Sequence, residues 1–240
     1  MRGKILERKL GDLDALHVQG DPSGPYIILM HGFGANKHDL LGLHRMLPNH
    51  PEVNWVFPNG FLEVPLGMWM TGRAWFPVDM DAFAQEMWSD RQMSLTQTRP
   101  EGMDEAMEKL TGMVAALGVP ASRIVFGGFS QGAAMAAELT LCSKETPAGL
   151  MIFSSMLIDE PKWQQHAPAH KGLHFFQSHG TADPLVALEP AQELHRMLTG
   201  SGLVGELYLF DGGHEIPPGV MSRTITYLEG RLAPLRHSTS

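Results

Sequence analysis

The sequence contains one cysteine, Cys142, so no disulfide can form within the chain. A reducing compartment fits such a chain, and the cytoplasm is the expected location. Long apolar runs are missing too. No uninterrupted stretch approaches the ~18 residues of a membrane span. The N-terminal Met1-Arg2-Gly3-Lys4-Ile5-Leu6-Glu7-Arg8-Lys9 carries charge where a secretory signal needs an apolar core, so neither export nor integral membrane association is expected. Basic residues are scarce: 18 Lys and Arg stand against 26 Asp and Glu, a net charge of −8. With no block of Lys and Arg, a nucleic-acid groove or an anionic membrane surface is a poor partner. The chain also lacks repeats, low-complexity segments and Ser/Gly-rich linkers. Twelve histidines are present, but neither His-Glu-x-x-His nor a clustered His and Cys spacing suggests a metal site.

What remains is an ordinary globular composition, 43% hydrophobic and 18% charged over 240 residues. A chain of this length buries roughly three quarters of its unfolded surface and needs no disulfide or metal to hold a core. Short apolar, β-rich runs ending in glycine or turn residues recur at 15–20, 26–32, 54–60, 123–130, 149–155, 173–180 and 206–210. Most are continuous rather than alternating, which predicts strands buried on both faces. Between them, Met103, Met107, Leu110, Val114 and Leu117 form an apolar stripe at spacings of three and four, predicting a helix over 101–118 stopped by Gly118. Further helices are expected at 37–47, 131–142, 188–199 and 219–232. The alternation predicts one α/β domain over 1–240, with a mostly parallel sheet of about seven strands and helices on both faces. Such sheets bind ligands beyond the carboxyl ends of their strands. That rule singles out His31, Asn59, Ser130, Ser154, Gly180 and the residues after Phe210.

At one of these ends stands Gly128-Phe129-Ser130-Gln131-Gly132. Gly-x-Ser-x-Gly is short, and its setting gives it weight: a strand precedes it and a small-residue helix follows. A serine there can occupy a sharp turn with its hydroxyl exposed, provided glycines two residues either side keep the turn free of side chains. A plain glycine-rich packing turn is the alternative. A serine hydroxyl is a weak nucleophile, so it requires a histidine base, and the histidine requires an acid to fix its tautomer. In this architecture they follow in the order serine, acid, histidine. Asp183, in Ser178-His179-Gly180-Thr181-Ala182-Asp183-Pro184, and His214, in Phe210-Asp211-Gly212-Gly213-His214-Glu215, fill those places. Asp159, beyond the 149–155 strand, is a rival acid. His166 and His170 flank Ala-Pro-Ala in a segment that reads as a loop. An oxyanion needs preorganised backbone donors. The N–H of Gln131 follows the nucleophile, and that of Phe33 lies in the glycine-bracketed loop Met30-His31-Gly32-Phe33-Gly34-Ala35-Asn36.

Taken together, His31-Gly-Phe-Gly, Trp75-Phe76, Gly127-Gly-Phe-Ser-Gln-Gly-Ala-Ala-Met-Ala136, His179-Gly-Thr-Ala-Asp183-Pro and Gly213-His-Glu-Ile216 resemble the phospholipase/carboxylesterase family of α/β-hydrolases, which includes small bacterial carboxylesterases and acyl-protein thioesterases. The resemblance runs over roughly 25–230. It implies an α/β-hydrolase fold and a serine hydrolase without cofactor, with Ser130, Asp183 and His214 as triad and the N–H groups of Phe33 and Gln131 as oxyanion hole. Trp75 and Phe76 are its candidate substrate contacts. They are followed by Pro-Val-Asp, where eukaryotic thioesterases more often place an aspartate directly after the phenylalanine. Over 61–100, Trp69, Trp75 and Trp88 interleave with Met68, Met70, Met80, Met87 and Met93. Such side chains suit either an adaptable acyl pocket or lid, or the core beneath a long connection. The expected activity is a carboxylesterase on small or medium-chain acyl esters. A lysophospholipase or acyl-protein thioesterase is the alternative, with a non-catalytic scaffold binding an apolar ligand or partner further removed. A small-molecule ester or thioester is the expected partner.

Overall fold

The computed structural model describes residues 3–46, 50–67, 69–79, 81, 82, 85 and 97–236. An edge hairpin opens the chain: β1 (Ile5–Leu10) pairs antiparallel with β2 (Leu13–Val18), and β2 pairs antiparallel with β4 (Asn54–Pro58). From β4 onward every neighbour is parallel: β3 (Tyr26–Met30), β7 (Ile124–Phe129), β8 (Gly149–Phe153), β9 (His174–Gly180) and β10 (Val204–Phe210). The resulting eight-stranded order is β1-β2-β4-β3-β7-β8-β9-β10, and β5 (Leu62–Pro65) with β6 (Thr71–Ala74) makes a separate hairpin.

This is the α/β architecture expected, with one more strand in the main sheet than the apolar runs indicate. The extra strand is β1, where residues 5–9 are exposed or half-buried and only Leu10 is buried. An edge strand of that kind has no continuous apolar run to betray it. The central strands do, because both faces are covered. Ile28, Met30, Phe126 and Ile152 pack on one side against α1 (Met103–Leu117), α2 (Gln131–Leu141), α3 (Glu160–His166) and α4 (Leu188–Gly200). Their neighbours Ile27, Leu29, Val125 and Met151 pack on the other side with Val220, Leu228 and Leu232 of α5 (Pro218–Leu232). Each such fully buried side chain contributes about 1.5–3 kcal/mol, which is why this alternation fixes the register.

Local differences have local causes. In α1 the deepest residues are Met103, Ala106, Leu110 and Met113, while Met107, Val114 and Leu117 flank them half-buried; Ala106 widens the stripe toward the sheet. The helix ends at Gly118 in the left-handed region (φ 66°), as expected. The expected helix over 37–47 is a single 3₁₀ segment, Leu41–Met46. The stretch around His166 and His170 is α3 followed by a 3₁₀ turn rather than a loop, and His170 is buried with Nε2 3.1 Å from the carbonyl oxygen of Leu141. Among the described residues no helix is long and apolar enough to cross a membrane.

Candidate active site

Strand order reverses beside β3, which has β4 on one side and β7 on the other. Such a switch point opens a crevice at the carboxyl ends of the strands. Two loops leave the sheet there, 31–35 after β3 and the turn at Ser130 after β7. Ser130 has φ 54° and ψ −121°, a conformation that L-residues rarely adopt, and its N–H is held by the carbonyl of Phe153 at 2.8 Å. The turn is tight enough to exclude side chains. A Cβ on Gly128 would lie 2.4 Å from the backbone of Gly132, and one on Gly132 would lie 2.2 Å from the carbonyl oxygen of Met30. Every residue of α2 is buried, and its alanines let the helix approach β7 and β8 closely beneath the serine.

Residues after β9 and β10 meet beside this turn. Nδ1 of His214 lies 2.7 Å from Oδ2 of Asp183, and the Phe129 ring packs against the imidazole at 4.6 Å between centroids. The approach depends on Gly180, where a Cβ would stand 2.2 Å from the carbonyl oxygen of Gly213. The other carboxylate oxygen of Asp183 accepts hydrogen bonds from the N–H groups of Leu185 (2.9 Å) and Val186 (3.0 Å). Burial alone would raise the Asp183 pKa, but the His214 and backbone hydrogen bonds outweigh it and hold the carboxyl below its ordinary value. The group is therefore a carboxylate at neutral pH, able to accept the Nδ1–H of His214.

The rival acid has other partners. Asp159 receives Nη1 of Arg99 at 3.1 Å, and the same Arg99 nitrogen lies 2.9 Å from Oε1 of Glu138, which also receives Nζ of Lys162 at 2.7 Å. Asp159 thus belongs to a charged cluster between α2 and α3 rather than to His214.

His31 leads the loop after β3, and its ring is structural. Nδ1 donates to the carbonyl of Gly32 (2.8 Å), Nε2 accepts the N–H of Gly60 (2.9 Å), and the Trp75 indole N–H donates to the His31 carbonyl (2.9 Å). The side chain of Gln131 bonds to the same segment: Oε1 accepts the Trp75 N–H (2.9 Å) and Nε2 donates to the Phe76 carbonyl (2.8 Å). The two backbone donors singled out in the sequence, the N–H groups of Phe33 and Gln131, have no hydrogen-bonding partner among the described residues. Burial drives the His31 pKa down to about 4, opposed by its bond to Gly32. An unfolded histidine titrates near 6.5, so the unfolded chain binds the extra proton first and stability falls as pH drops from about 6.5 toward 4. At pH 5 His31 alone is expected to remove about 2 kcal/mol. Thermal melts at pH 7 and pH 5 should show this loss, with a shallower pH slope in H31Q; equal stability of the native protein at both pH values would contradict a neutral His31.

Ser130, His214, Phe33 and Gln131 all line one cavity of about 480 Å³, whose walls are largely apolar, with Phe76, Val78, Met156, Leu185 and Val186 among them. Phe76 faces this space. Trp75 does not: it is fully buried behind the wall. Leu185 and Val186 directly follow the Asp183-Pro184 pair, a proximity in sequence that could have marked them as wall residues. In the 61–100 segment, Trp69 is 92% exposed, whereas Met68, Met80, Met87, Trp88 and Met93 lie outside the described residues. Among the described residues no group of three or more His, Cys, Asp or Glu is arranged to hold a metal ion.

Sheet order, serine turn and facing cavity define an α/β-hydrolase. The pattern of the phospholipase/carboxylesterase family matches residues 14–231, and the chain belongs to that family of carboxylesterases and thioesterases and is a hydrolase. It is 27% identical over 233 residues to acyl-protein thioesterase 1 of Eremothecium gossypii, covering 90% of this chain and 91% of that protein. Among solved structures it is similar to esterase PE8, with a TM-score of 0.74 and 23% identity over 96% of this chain and 99% of that one. The carboxylesterase of Bacillus cereus has a TM-score of 0.67 and 20% identity over 91% and 94% of the two chains. At those identities the two structures speak for the fold alone.

Proposed function

We propose that the chain is a serine esterase of one α/β-hydrolase domain, cleaving small or medium-chain acyl esters in the cytoplasm through Ser130, His214 and Asp183. The observation that carries this reading is the 2.7 Å pair of His214 and Asp183, with His214 lining the same cavity as Ser130 on its glycine-flanked turn. His214 takes the Ser130 proton at Nε2 as Oγ attacks the substrate carbonyl, while Asp183 holds the Nδ1–H tautomer and stabilises the imidazolium. The N–H groups of Phe33 and Gln131 receive the oxyanion. As the tetrahedral intermediate collapses, His214 passes its proton to the leaving oxygen or sulfur, leaving an acyl-Ser130. Water then repeats the sequence: His214 takes a water proton, hydroxide adds to the acyl carbon, and the acid departs as the proton returns to Oγ.

The apolar walls suit an acyl chain, and the charged residues described on the lining, Asp39 and Asp79, disfavour retention of a carboxylate product. The same chemistry cleaves a thioester, and the Eremothecium relative named an acyl-protein thioesterase supports that second reading. A chain-length series of p-nitrophenyl esters, run beside one lysophospholipid and one acyl thioester, separates them. The proposal expects the highest kcat/KM on esters of about four to ten acyl carbons, the length an apolar cavity of drug-ligand size accommodates. A maximum on the thioester or the lysophospholipid would replace it with the corresponding alternative. A folded protein that neither turns over any of these nor labels with a fluorophosphonate would be a binding scaffold.

A further inference from the structure

His179 is the penultimate residue of β9, within the segment that leads to Asp183, and the proposed chemistry leaves it without a task. Its ring is fully buried. Nε2 lies 2.9 Å from the carbonyl oxygen of Val186 and 3.7 Å from Oδ2 of Asp183. A carbonyl oxygen only accepts, so Nε2 carries a proton and donates to Val186. Nδ1 has no hydrogen-bonding partner among the described residues. Burial lowers the His179 pKa against the opposing pull of Val186 and Asp183, consistent with a neutral ring whose Nδ1 lone pair is unpaired. A buried acceptor without a donor is destabilising, and an aliphatic side chain of similar size would avoid it. The histidine therefore calls for a reason other than packing.

Val186 supplies that reason. Its N–H donates to Asp183 Oδ1 at 3.0 Å, and its carbonyl receives His179 Nε2–H. The residue is thus held at both of its backbone polar groups, by the carboxylate on one side and by the strand-end histidine on the other. The Leu185 N–H, at 2.9 Å, completes the grip on Oδ1 and leaves Oδ2 for His214. Because β9 is paired with β8 as far as Ser178 and with β10 through His179 to Gly180, His179 sits on a rigid element, whereas 183–186 is a connection.

We propose that His179 is a positioning residue: through Val186 it fixes the 183–186 turn so that Asp183 presents Oδ2 to His214. The proposal rests on the assignment of Ser130, Asp183 and His214. Misplacing a catalytic group by about 1 Å can cost on the order of 100-fold in rate.

Three variants test it. H179L fills the volume without a donor, H179Q brings its amide nitrogen to the place of Nε2, and H179N is polar but too short to reach Val186. Active sites are titrated with a fluorophosphonate, and kcat and KM for a p-nitrophenyl ester are then expressed per active site. H179L and H179N are expected to lose about 10- to 100-fold in kcat with KM within about twofold, and H179Q to recover to within about fivefold of the native enzyme. Should H179L fail to fold, the contrast between H179N and H179Q carries the same information. A lowered active fraction with native kcat per site would make His179 merely structural and overturn the proposal, as would equal kcat in H179N and H179Q. If the native protein turns over ester without labelling at Ser130, the assignment beneath the proposal falls and both are overturned.

Discussion

Replacing Ser130 with alanine is expected to lower kcat for a p-nitrophenyl ester by about 10⁴-fold or more, leaving only what the cavity and its backbone donors contribute. The substitution removes one oxygen and disturbs little else. The backbone bond from the Ser130 N–H to Phe153 persists, because the N–H is unchanged. The positive φ of 54° is imposed by the tight contacts around Gly128 and Gly132, not by the hydroxyl. The melting temperature of S130A should therefore stay close to that of the native protein while turnover and fluorophosphonate labelling disappear together. Turnover retained in S130A would put the nucleophile elsewhere.

The second large effect separates the two candidate acids. In D183N the carboxamide oxygen can still accept the Leu185 and Val186 N–H groups, but the amide nitrogen then faces Nδ1 of His214. Two donors cannot share one bond, so the imidazole is driven to the tautomer with its proton on Nε2, where it cannot take a proton from Ser130. A loss in kcat on the order of 10⁴ is expected. D159N changes a group bonded to Arg99 within the cluster of Glu138 and Lys162, so kcat should stay within about threefold while stability falls by about 1–3 kcal/mol. Steady-state kinetics and denaturant melts on the two variants read both quantities. The opposite ranking in kcat would make Asp159 the acid partner.

Parts of this site are legible in sequence because their cause is local. Gly128 and Gly132 stand two residues either side of Ser130, and the same contacts that exclude a Cβ from them make the turn possible. The central strands are legible as continuous apolar runs because helices cover both faces. β1 and the β5–β6 hairpin are not, since strands with exposed faces leave no such run. In α1 the apolar spacing is visible, but the sheet decides that Ala106 and Met113 lie deepest. Trp75 and Phe76 are adjacent in sequence and end on opposite sides of a wall, because the indole N–H is drawn to the His31 carbonyl while Phe76 turns to the cavity.

By itself the sequence determined the α/β class, the order of the proposed catalytic residues and the absence of an internal disulfide, since each depends on short-range pattern or on composition. Only the tertiary structure decided which carboxylate faces His214. Asp159 and Asp183 both follow parallel strands, and the choice depends on which strand end lies beside β10 and where Arg99 directs its guanidinium. The tasks of His31, His179 and the Gln131 side chain belong to the same level, because each is defined by a carbonyl or N–H that packing brings within hydrogen-bonding distance.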